Sequence, residues 1–431
     1  MRRHYSKRGT TKGCTAKRCT TKGCTAKRCT TKGCTAKRCL ATLLALAVGV
    51  TAATAQPTAE SSREAKIEAL IEMGMEEVRM VEDEGTTYLS FEDNIYRSNA
   101  YGIDQVTKRL RAIDSTRVIK MLIVDEGVER LSVSVPTSAK SAEVSYDTRE
   151  LSQRLRGERF ERVGNPSLGK IDLMLYPELF LENSWYSKLY GVAVSISPAV
   201  EWRLWRGATL TGQVVIPIYT NMNDEKQYIR PGVVALRQRV KLYRQLFAEF
   251  SAGNFMDDRW GGDLKVGYYT ADGRWGVGGG LGYTGSSTFY GQEWVIGPLD
   301  HTTWSTWVSY YEPYYGMEIK GEVLQMIYGD RGVRGELCRH FGEVAIGLYG
   351  CYTGGYMNGG FAFTVTLPSK SRPKRNKGAR VTYPENFSFV YSARNGGKGL
   401  YGYSYRTRPD AGSMDGYFNP IYINKELDKF R

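Results

Sequence analysis

Acidic residues are missing from the first 55 positions of this 431-residue chain, and cysteine is missing from everything between Cys39 and Cys338. The first absence explains the formal net charge of +14. Residues 1–55 carry 13 Lys/Arg and no Asp/Glu, whereas residues 56–431 carry 46 Lys/Arg against 45 Asp/Glu. The basic balance is therefore terminal and gives no argument for a nucleic-acid partner. Histidine is nearly absent: only His4, His301 and His340 occur. There is no Gly-x-Ser-x-Gly elbow, no His-Glu-x-x-His helix and no phosphate loop. No catalytic residue, metal or cofactor is expected, and a hydrolase would have to assemble its site from scattered residues. Long apolar runs are missing too. Leu40–Val50 is only about 11 residues, too short to cross a bilayer as a helix.

What stands at the N-terminus is unusual. The decapeptide Thr-Thr-Lys-Gly-Cys-Thr-Ala-Lys-Arg-Cys fills Thr10–Cys39 three times without error and holds six of the eight cysteines. Regular cysteines can bind metal, but these lack the paired spacing of a zinc site. The unit also has almost nothing apolar to bury as a solenoid repeat would. It reads as a duplication of a short coding repeat. The apolar run follows it and ends at Ala53-Thr54-Ala55. Basic segment, short apolar core and small-x-small site together read as a secretory signal peptide over residues 1–55. Export without a helical span leaves the periplasm, secretion or an outer-membrane barrel.

Residues 357–368 choose among these. Phe361, Phe363, Val365 and Leu367 share one face of a strand, and Ala362, Thr364 and Thr366 the other, the apolar-out, polar-in dyad of a transmembrane β-strand. The spacing from Asn358 through Gly360 to Phe363 and Val365 is similar to the recognition signal in the last strand of outer-membrane barrels. From Lys170 onward, alternating segments centre within 170–184, 190–205, 208–219, 232–242, 245–255, 261–270, 274–285, 302–312, 317–328, 332–340, 343–353 and 357–367. The connections at 206–207, 243–244, 271–273, 312–316 and 341–342 are short. The longest, 220–231 and 286–301, fall at the opposite ends of the strands, as outer loops do. The fold expected is mainly β: a single transmembrane antiparallel β-barrel of about 12 strands over 167–368.

Ahead of it, residues 56–135 read as a small α+β periplasmic domain. Ile67, Leu70 and Ile71 mark one helix and Ile103, Val106, Leu110 and Ile113 another. Val78–Val81 and Thr87–Phe91 flank a Glu-Asp-Glu-Gly turn. Strands are expected at Arg117–Val124 and Leu131–Val135, then a polar linker over 136–166. Behind the barrel, 369–431 reads as a basic linker and a C-terminal periplasmic tail. The tail should carry a hairpin of Phe387–Tyr391 and Leu400–Tyr405. Residues 368–380 hold six positive charges and no acid, as a solvated linker or a site for an anionic polymer.

The expected inward face carries Asp172, Glu178, Glu182, Glu201, Glu249, Asp263, Glu318, Glu322 and Glu336 beside Arg203, Arg237, Arg239, Lys241, Lys265, Lys320 and Arg334. Carboxylate pairs there could serve glycoside cleavage. A lumen of mutually paired charges is the simpler account, because charges face lipid only at a cost. Arg237, Arg239 and Lys241 form one basic row on the fourth strand. They are candidate contacts for an anionic polysaccharide, unless they neutralise neighbours such as Glu249 and Asp263. The 30 tyrosines suit an interfacial girdle or sugar stacking. His301 should lie at the outer rim and His340 near the periplasmic end of the tenth strand, neither with an evident partner. Cys338 should oppose residue 345 and Cys351 residue 332. The sulfurs would then lie about 20 Å apart, so both thiols should be free.

Several stretches resemble the YjbH/GfcD-type family of outer-membrane proteins of exopolysaccharide and group 4 capsule secretion. Gly329-Asp330-Arg331-Gly332-Val333, Arg339-His340-Phe341-Gly342 and the strand to Leu367-Pro368 are similar to its C-terminal barrel signature. Asn254-Phe255-Met256-Asp257-Asp258-Arg259-Trp260-Gly261-Gly262 resembles its mid-barrel segment. Arg394-Asn395-Gly396-Gly397 is similar to its post-barrel turn, and Phe91–Arg97 to an N-terminal stretch. The resemblance implies an outer-membrane protein with both terminal parts in the periplasm, supporting polysaccharide export or assembly without catalysis. It implies as partners outer-membrane lipid, the barrel-assembly machinery, an anionic exopolysaccharide and other polysaccharide-export proteins. The alternatives are an outer-membrane enzyme acting on polysaccharide or lipid, and a general porin.

Overall fold

The computed structural model describes residues 59–137, 142–156, 164–183, 190–222, 225–375, 378–393, 401–409 and 415–430. The decapeptide repeat, the apolar run and its small-x-small site lie outside them, as does the 394–397 turn.

The first part is α1 (Ala59–Met73), β1 (Glu76–Asp83), β2 (Thr86–Glu92), α2 (Asn99–Ile113), β3 (Val118–Asp125), β4 (Val128–Val135), β5 (Glu143–Ser145) and α3 (Arg149–Arg156). β1 to β5 form one sheet in sequence order. β2 and β3 run parallel, which requires a crossover, and α2 supplies it. Ser98 caps that helix by accepting from the Tyr101 N–H at 3.4 Å. Ile103, Val106 and Leu110 turn inward onto Met80, Leu89, Phe91, Ile119, Met121, Leu131 and Val133, all fully buried or nearly so. The stretch 136–166, expected as a linker, is more than that. β5 extends the sheet beside β4. α3 buries Leu151 and Leu155 against Leu122.

The second part is one large sheet of β6 (Ile171–Asn183), β7 (Tyr190–Trp205), β8 (Ala208–Thr220), β9 (Arg230–Tyr243), β10 (Leu246–Phe255), β11 (Arg259–Tyr269), β12 (Trp275–Tyr290), β13 (Glu293–Glu312), β14 (Met317–Gln325), β15 (Arg331–Phe341), β16 (Val344–Thr353), β17 (Tyr356–Thr366), β18 (Ala379–Thr382) and β19 (Asn386–Ala393). Each expected segment is a strand, and neighbours from β6 to β17 pair antiparallel in sequence order. The sheet has 14 strands, however, not about 12. β19 continues past β17 in antiparallel register, and β18 runs parallel to β6. β17 is thus not the last strand. Nor do residues 401–405 form the second arm of a hairpin with β19. The supposed loop 286–301 is the far half of a long hairpin of β12 and β13, turning at 291–292.

Burial in this sheet is inverted. Ser197, Thr209, Gln213, Ser251, Thr284 and Thr364 are buried, while Leu210, Val277, Leu281, Ile319, Val323 and Leu348 are exposed. The α+β part lies at the short-turn end. The Gly207 N–H donates to Glu126 O at 2.8 Å, and the Tyr146 N–H to Ala271 O at 2.8 Å. α4 (Pro420–Leu427) returns to the same end, where Tyr422, Ile423 and Leu427 join the α+β core with Phe247 and Tyr311.

Candidate functional site

The buried face of the large sheet surrounds a cavity of about 640 Å³. Strand alternation puts its charges there. β14 contributes Glu318, Lys320 and Glu322, and β15 contributes Arg334 and Glu336. Register sets Lys320 opposite Glu336 and Glu322 opposite Arg334, the cross-strand opposite-charge pairing that sheets favour. Arg334 also pairs with Glu336 on its own strand and lies 4.5 Å from the Tyr349 ring centroid. The Lys320 ammonium lies 5.4 Å from the Trp307 ring centroid.

Glycines leave the inner face of nearby β12 bare. A Cβ on Gly278 of β12 would come within 2.5 Å of the Trp307 ring. A Cβ on Gly282 would sit 1.9 Å from the Tyr405 hydroxyl. Tyr405 belongs to the segment 401–409, which runs along this interior. Its hydroxyl donates to Asp263 Oδ2 at 2.8 Å. Its ring stacks on Phe255, centroids 5.6 Å apart. Nearby, the Gly402 N–H donates to Asp330 Oδ2 at 3.0 Å. Met256 N–H donates to Arg406 O at 3.0 Å, and Arg408 faces Glu249 at 3.9 Å.

The basic row of β9 lies at the end of this cavity that meets the α+β part. β3 and β4 are joined by a two-residue turn, Glu126-Gly127, with φ of 52° and 76°. Positive φ at both positions is the hairpin geometry that matches strand twist. It carries Glu126 into the end of the large sheet. Glu126 Oε1 lies 2.5 Å from Arg237 Nη2 and 3.3 Å from Arg203 Nη1. Arg239 reaches Asp125 at 2.9 Å, Glu249 at 2.7 Å and Glu126 at 3.6 Å. Burial alone would raise the Glu126 carboxyl, but Arg237, Arg203 and Arg239 outweigh it and hold it well below the usual carboxylate range. Lys241 Nζ donates to Thr148 Oγ1 at 2.6 Å and lies 5.4 Å from the Phe247 centroid. The row therefore faces the α+β part, with Glu249 the one expected neighbour that pairs with it. Asp263 instead accepts from Tyr405.

Other candidates scatter. Asp172 pairs with Arg380 at 2.7 Å, and Arg375 lies 3.4 Å from both Asp172 and Glu76. The basic stretch 368–380 thus has its buried arginines neutralised inside the fold. Glu178 accepts from Gln213 at 2.8 Å and Glu201 from Tyr176 at 2.7 Å. The Glu182 side chain lies outside the described residues. His340 does have neighbours. Its Nε2 is 3.7 Å from Cys338 Sγ, and the rings of Tyr311, Tyr417 and Tyr422 surround it. His301 contacts Asp300 and Tyr328. Cys338 and Cys351 form no disulfide with each other, and Cys338 opposes Gly347 while Cys351 opposes Arg334. The turn is Gly342-Glu343, one residue later than the sequence suggested, and moving a hairpin's centre by one residue moves its register by two. Among the described residues no group of three or more His, Cys, Asp or Glu is placed to hold a metal ion.

Sequence reasoning missed Glu126, Trp307 and Tyr405. The four inward glycines of β12, Gly276, Gly278, Gly280 and Gly282, were the available signal. A strand that leaves one face empty implies something packed against it. Comparison with protein-family models, curated proteins and solved structures finds no match to this chain.

Proposed function

We propose that the large sheet is a transmembrane β-barrel of a Gram-negative outer membrane, and that it supports export or assembly of an exopolysaccharide or capsule without catalysing a reaction. The observation that carries the membrane reading is the inverted burial. Hydroxyls and charges lie inside, and leucines, isoleucines and valines face out on one strand after another. In water this arrangement wastes the hydrophobic driving force; in a bilayer it is the stable one. Pairing of β6 with β7 along Ile171–Asn183 and with β19 at Glu182 brings both ends of the sheet together, as closure requires. The α+β part and α4 lie at the short-turn end, which in such barrels is periplasmic.

The interior supports a guide for a polar chain. It combines paired charges with the rings of Trp307, Tyr349, Tyr403 and Tyr405 around one cavity, and aromatic faces suit pyranose rings. The resemblance to the YjbH/GfcD-type family points the same way, with exopolysaccharide, lipid and other export proteins as partners. A porin is the weaker reading, because Tyr403, Ser404, Tyr405 and Arg408 line the interior and the Glu126 turn meets Arg203, Arg237 and Arg239 at one end. The test is deletion of the gene, with fractionation of the wild-type protein. Loss of surface polysaccharide and recovery of the protein in outer membranes are expected. Unchanged polysaccharide with altered solute uptake would overturn the export role in favour of a porin.

A further inference from the structure

Residues 401–406 connect three turns of the large sheet. Tyr401 packs at the β16–β17 turn. Its ring centroid lies 5.7 Å from that of Tyr356, and a Cβ on Gly354 would come within 3.1 Å of it. The Gly402 N–H bonds Asp330 in the β14–β15 turn, and Tyr403 O accepts from the Ile327 N–H of the same turn at 3.5 Å. Tyr405 then crosses the inner faces of β11, β12 and β13, touching Asp263, Gly282 and Thr303 in turn. Arg406 ends the crossing at the β10–β11 turn, where it bridges to Met256 and lies 3.4 Å from Asp257. All three turns alternate with the short ones and so stand at the end away from the α+β part.

The outermost two of these turns are far apart around the sheet. Six strands, β11 to β16, separate the β10–β11 turn from the β16–β17 turn. Going the other way there are seven: β10, β9, β8, β7, β6, β19 and β17. A segment that touches both turns, and the β14–β15 turn between them, spans the opening instead of following one wall. The five steps from Tyr401 to Arg406 reach at most about 17 Å, and the long side chains at either end add to that. Residues 401–406 belong to no strand of the sheet. Their hold includes the isolated Ile327 and Met256 backbone bonds, the contacts with Asp257, Asp263 and Asp330, and the stack of Tyr405 on Phe255.

We propose that residues 401–406 are a strap that closes the outer mouth of the barrel and must be displaced before a polymer-sized solute passes. The inference rests on the barrel reading above. A wall strand is fixed by ladder hydrogen bonds along its length. The strap is held by single bonds and side-chain contacts, which places it among the parts of a fold that open locally at small cost. Releasing it breaks no pairing between wall strands. Gly282 and Gly354 make room for it, since a side chain at Gly282 would take the place of the Tyr405 hydroxyl.

The test is the reaction of a polyethylene-glycol maleimide with a cysteine beneath the strap, in intact cells making the full chain. Ser305→Cys puts the thiol on the inner face of β13, further in than Thr303. Tyr290→Cys, at the exposed tip of the β12–β13 hairpin, is the control outside the strap. Each is read against the chain with its own cysteines alone. Tyr290→Cys should react quickly and Ser305→Cys slowly. Replacing 401–406 by a Gly-Ser segment of equal length should speed the reaction at Ser305→Cys about tenfold or more, because each lost contact favours the open state. Tyr405→Ala, which leaves the strap backbone in place, should speed it by a smaller factor, and it decides the matter where the Gly-Ser chain does not reach the outer membrane. With the strap intact, a Ser305→Cys reaction as fast as that of Tyr290→Cys overturns the proposal. A slow reaction that neither strap variant speeds also overturns it, because something else then closes the mouth. No reaction at Tyr290→Cys in intact cells overturns the barrel reading itself, and the proposal with it.

Discussion

Leu89 of β2 and Leu281 of β12 are the same residue type in the same kind of element. Leu89 is fully buried and Leu281 is 54% exposed. The α+β part packs Leu, Ile, Val and Met inside and leaves Glu143 and Glu150 in water. The large sheet packs Ser, Thr, Gln and ion pairs inside and leaves many of its aliphatic residues out, Val215, Val233 and Leu324 being buried exceptions. One chain therefore follows two burial rules, and the boundary between them falls near Lys170. The lesson concerns solvent: strand alternation creates two faces, and the surrounding medium decides which is turned inward.

The sharpest test of this comparison lies where the two regions touch. Glu126→Gln leaves Arg203, Arg237 and Arg239 buried around a neutral amide. Breaking a buried ion pair from one side costs about 3–5 kcal/mol. The α+β part should become accessible to protease at denaturant concentrations that leave the unaltered chain intact. A cost below about 1 kcal/mol would show that the cluster is wet and does not hold the two regions together.

The burial rules themselves can be broken one at a time. Leu89→Ala should cost about 2–5 kcal/mol in any medium, read from the denaturation midpoint of the α+β part. Leu281→Arg should cost about 2–4 kcal/mol, read as the loss of folding yield into lipid vesicles. The membrane account fails if Leu281→Arg enters vesicles as efficiently as the unaltered chain.

A pH dependence of opposite sign to the usual carboxylate is expected as well. Burial pushes the Asp93 carboxyl up to about 7, although the N–H groups of Tyr96 and Ile95 bonded to it act the other way. The folded state then holds a proton that the unfolded chain has released. Stability contributed here falls as pH rises from the ordinary aspartate value of 3.8 to about 7 and is level above that. The slope is at most about 1.4 kcal/mol per pH unit. Asp93→Asn should flatten it, measured as melting temperature against pH. Glu126 acts in the other direction. Its depressed carboxyl stabilises the fold above the ordinary glutamate range, and that stability is lost on acidification. An Asp93→Asn variant with an unchanged slope would assign the dependence to another group.

Much of this was legible locally. The helices at Ile103–Leu110 and Ile67–Ile71 and the strands over 170–367 follow from spacing alone, because a 3.6-residue or 2-residue period needs no knowledge of partners. The inward direction of Glu318, Lys320, Glu322, Arg334 and Glu336 follows for the same reason. The partners of Arg237 and Arg239 were not legible. Glu126 lies 111 residues from Arg237, on a hairpin whose turn shows only that something is presented there. β19 was recognisable as a strand, but not as a member of the large sheet. Eight residues of alternating character, Asn386–Ala393, are compatible with a separate hairpin or with an added edge.

The sequence by itself determined the helices around Ile67–Ile71 and Ile103–Leu110 and the twelve strands over 170–367, but not β5, α3, β18 or α4. It also determined which residues share a face and, to within a residue, where the short turns fall. These depend on periods and turn chemistry within a few residues. Only the tertiary structure decided that Glu126 meets Arg203, Arg237 and Arg239, that 401–409 runs through the interior, and that β6 pairs with β18 and β19 as well as with β7. Those outcomes depend on how long-range loops close and how two faces fit, and distance along the chain carries no information about either.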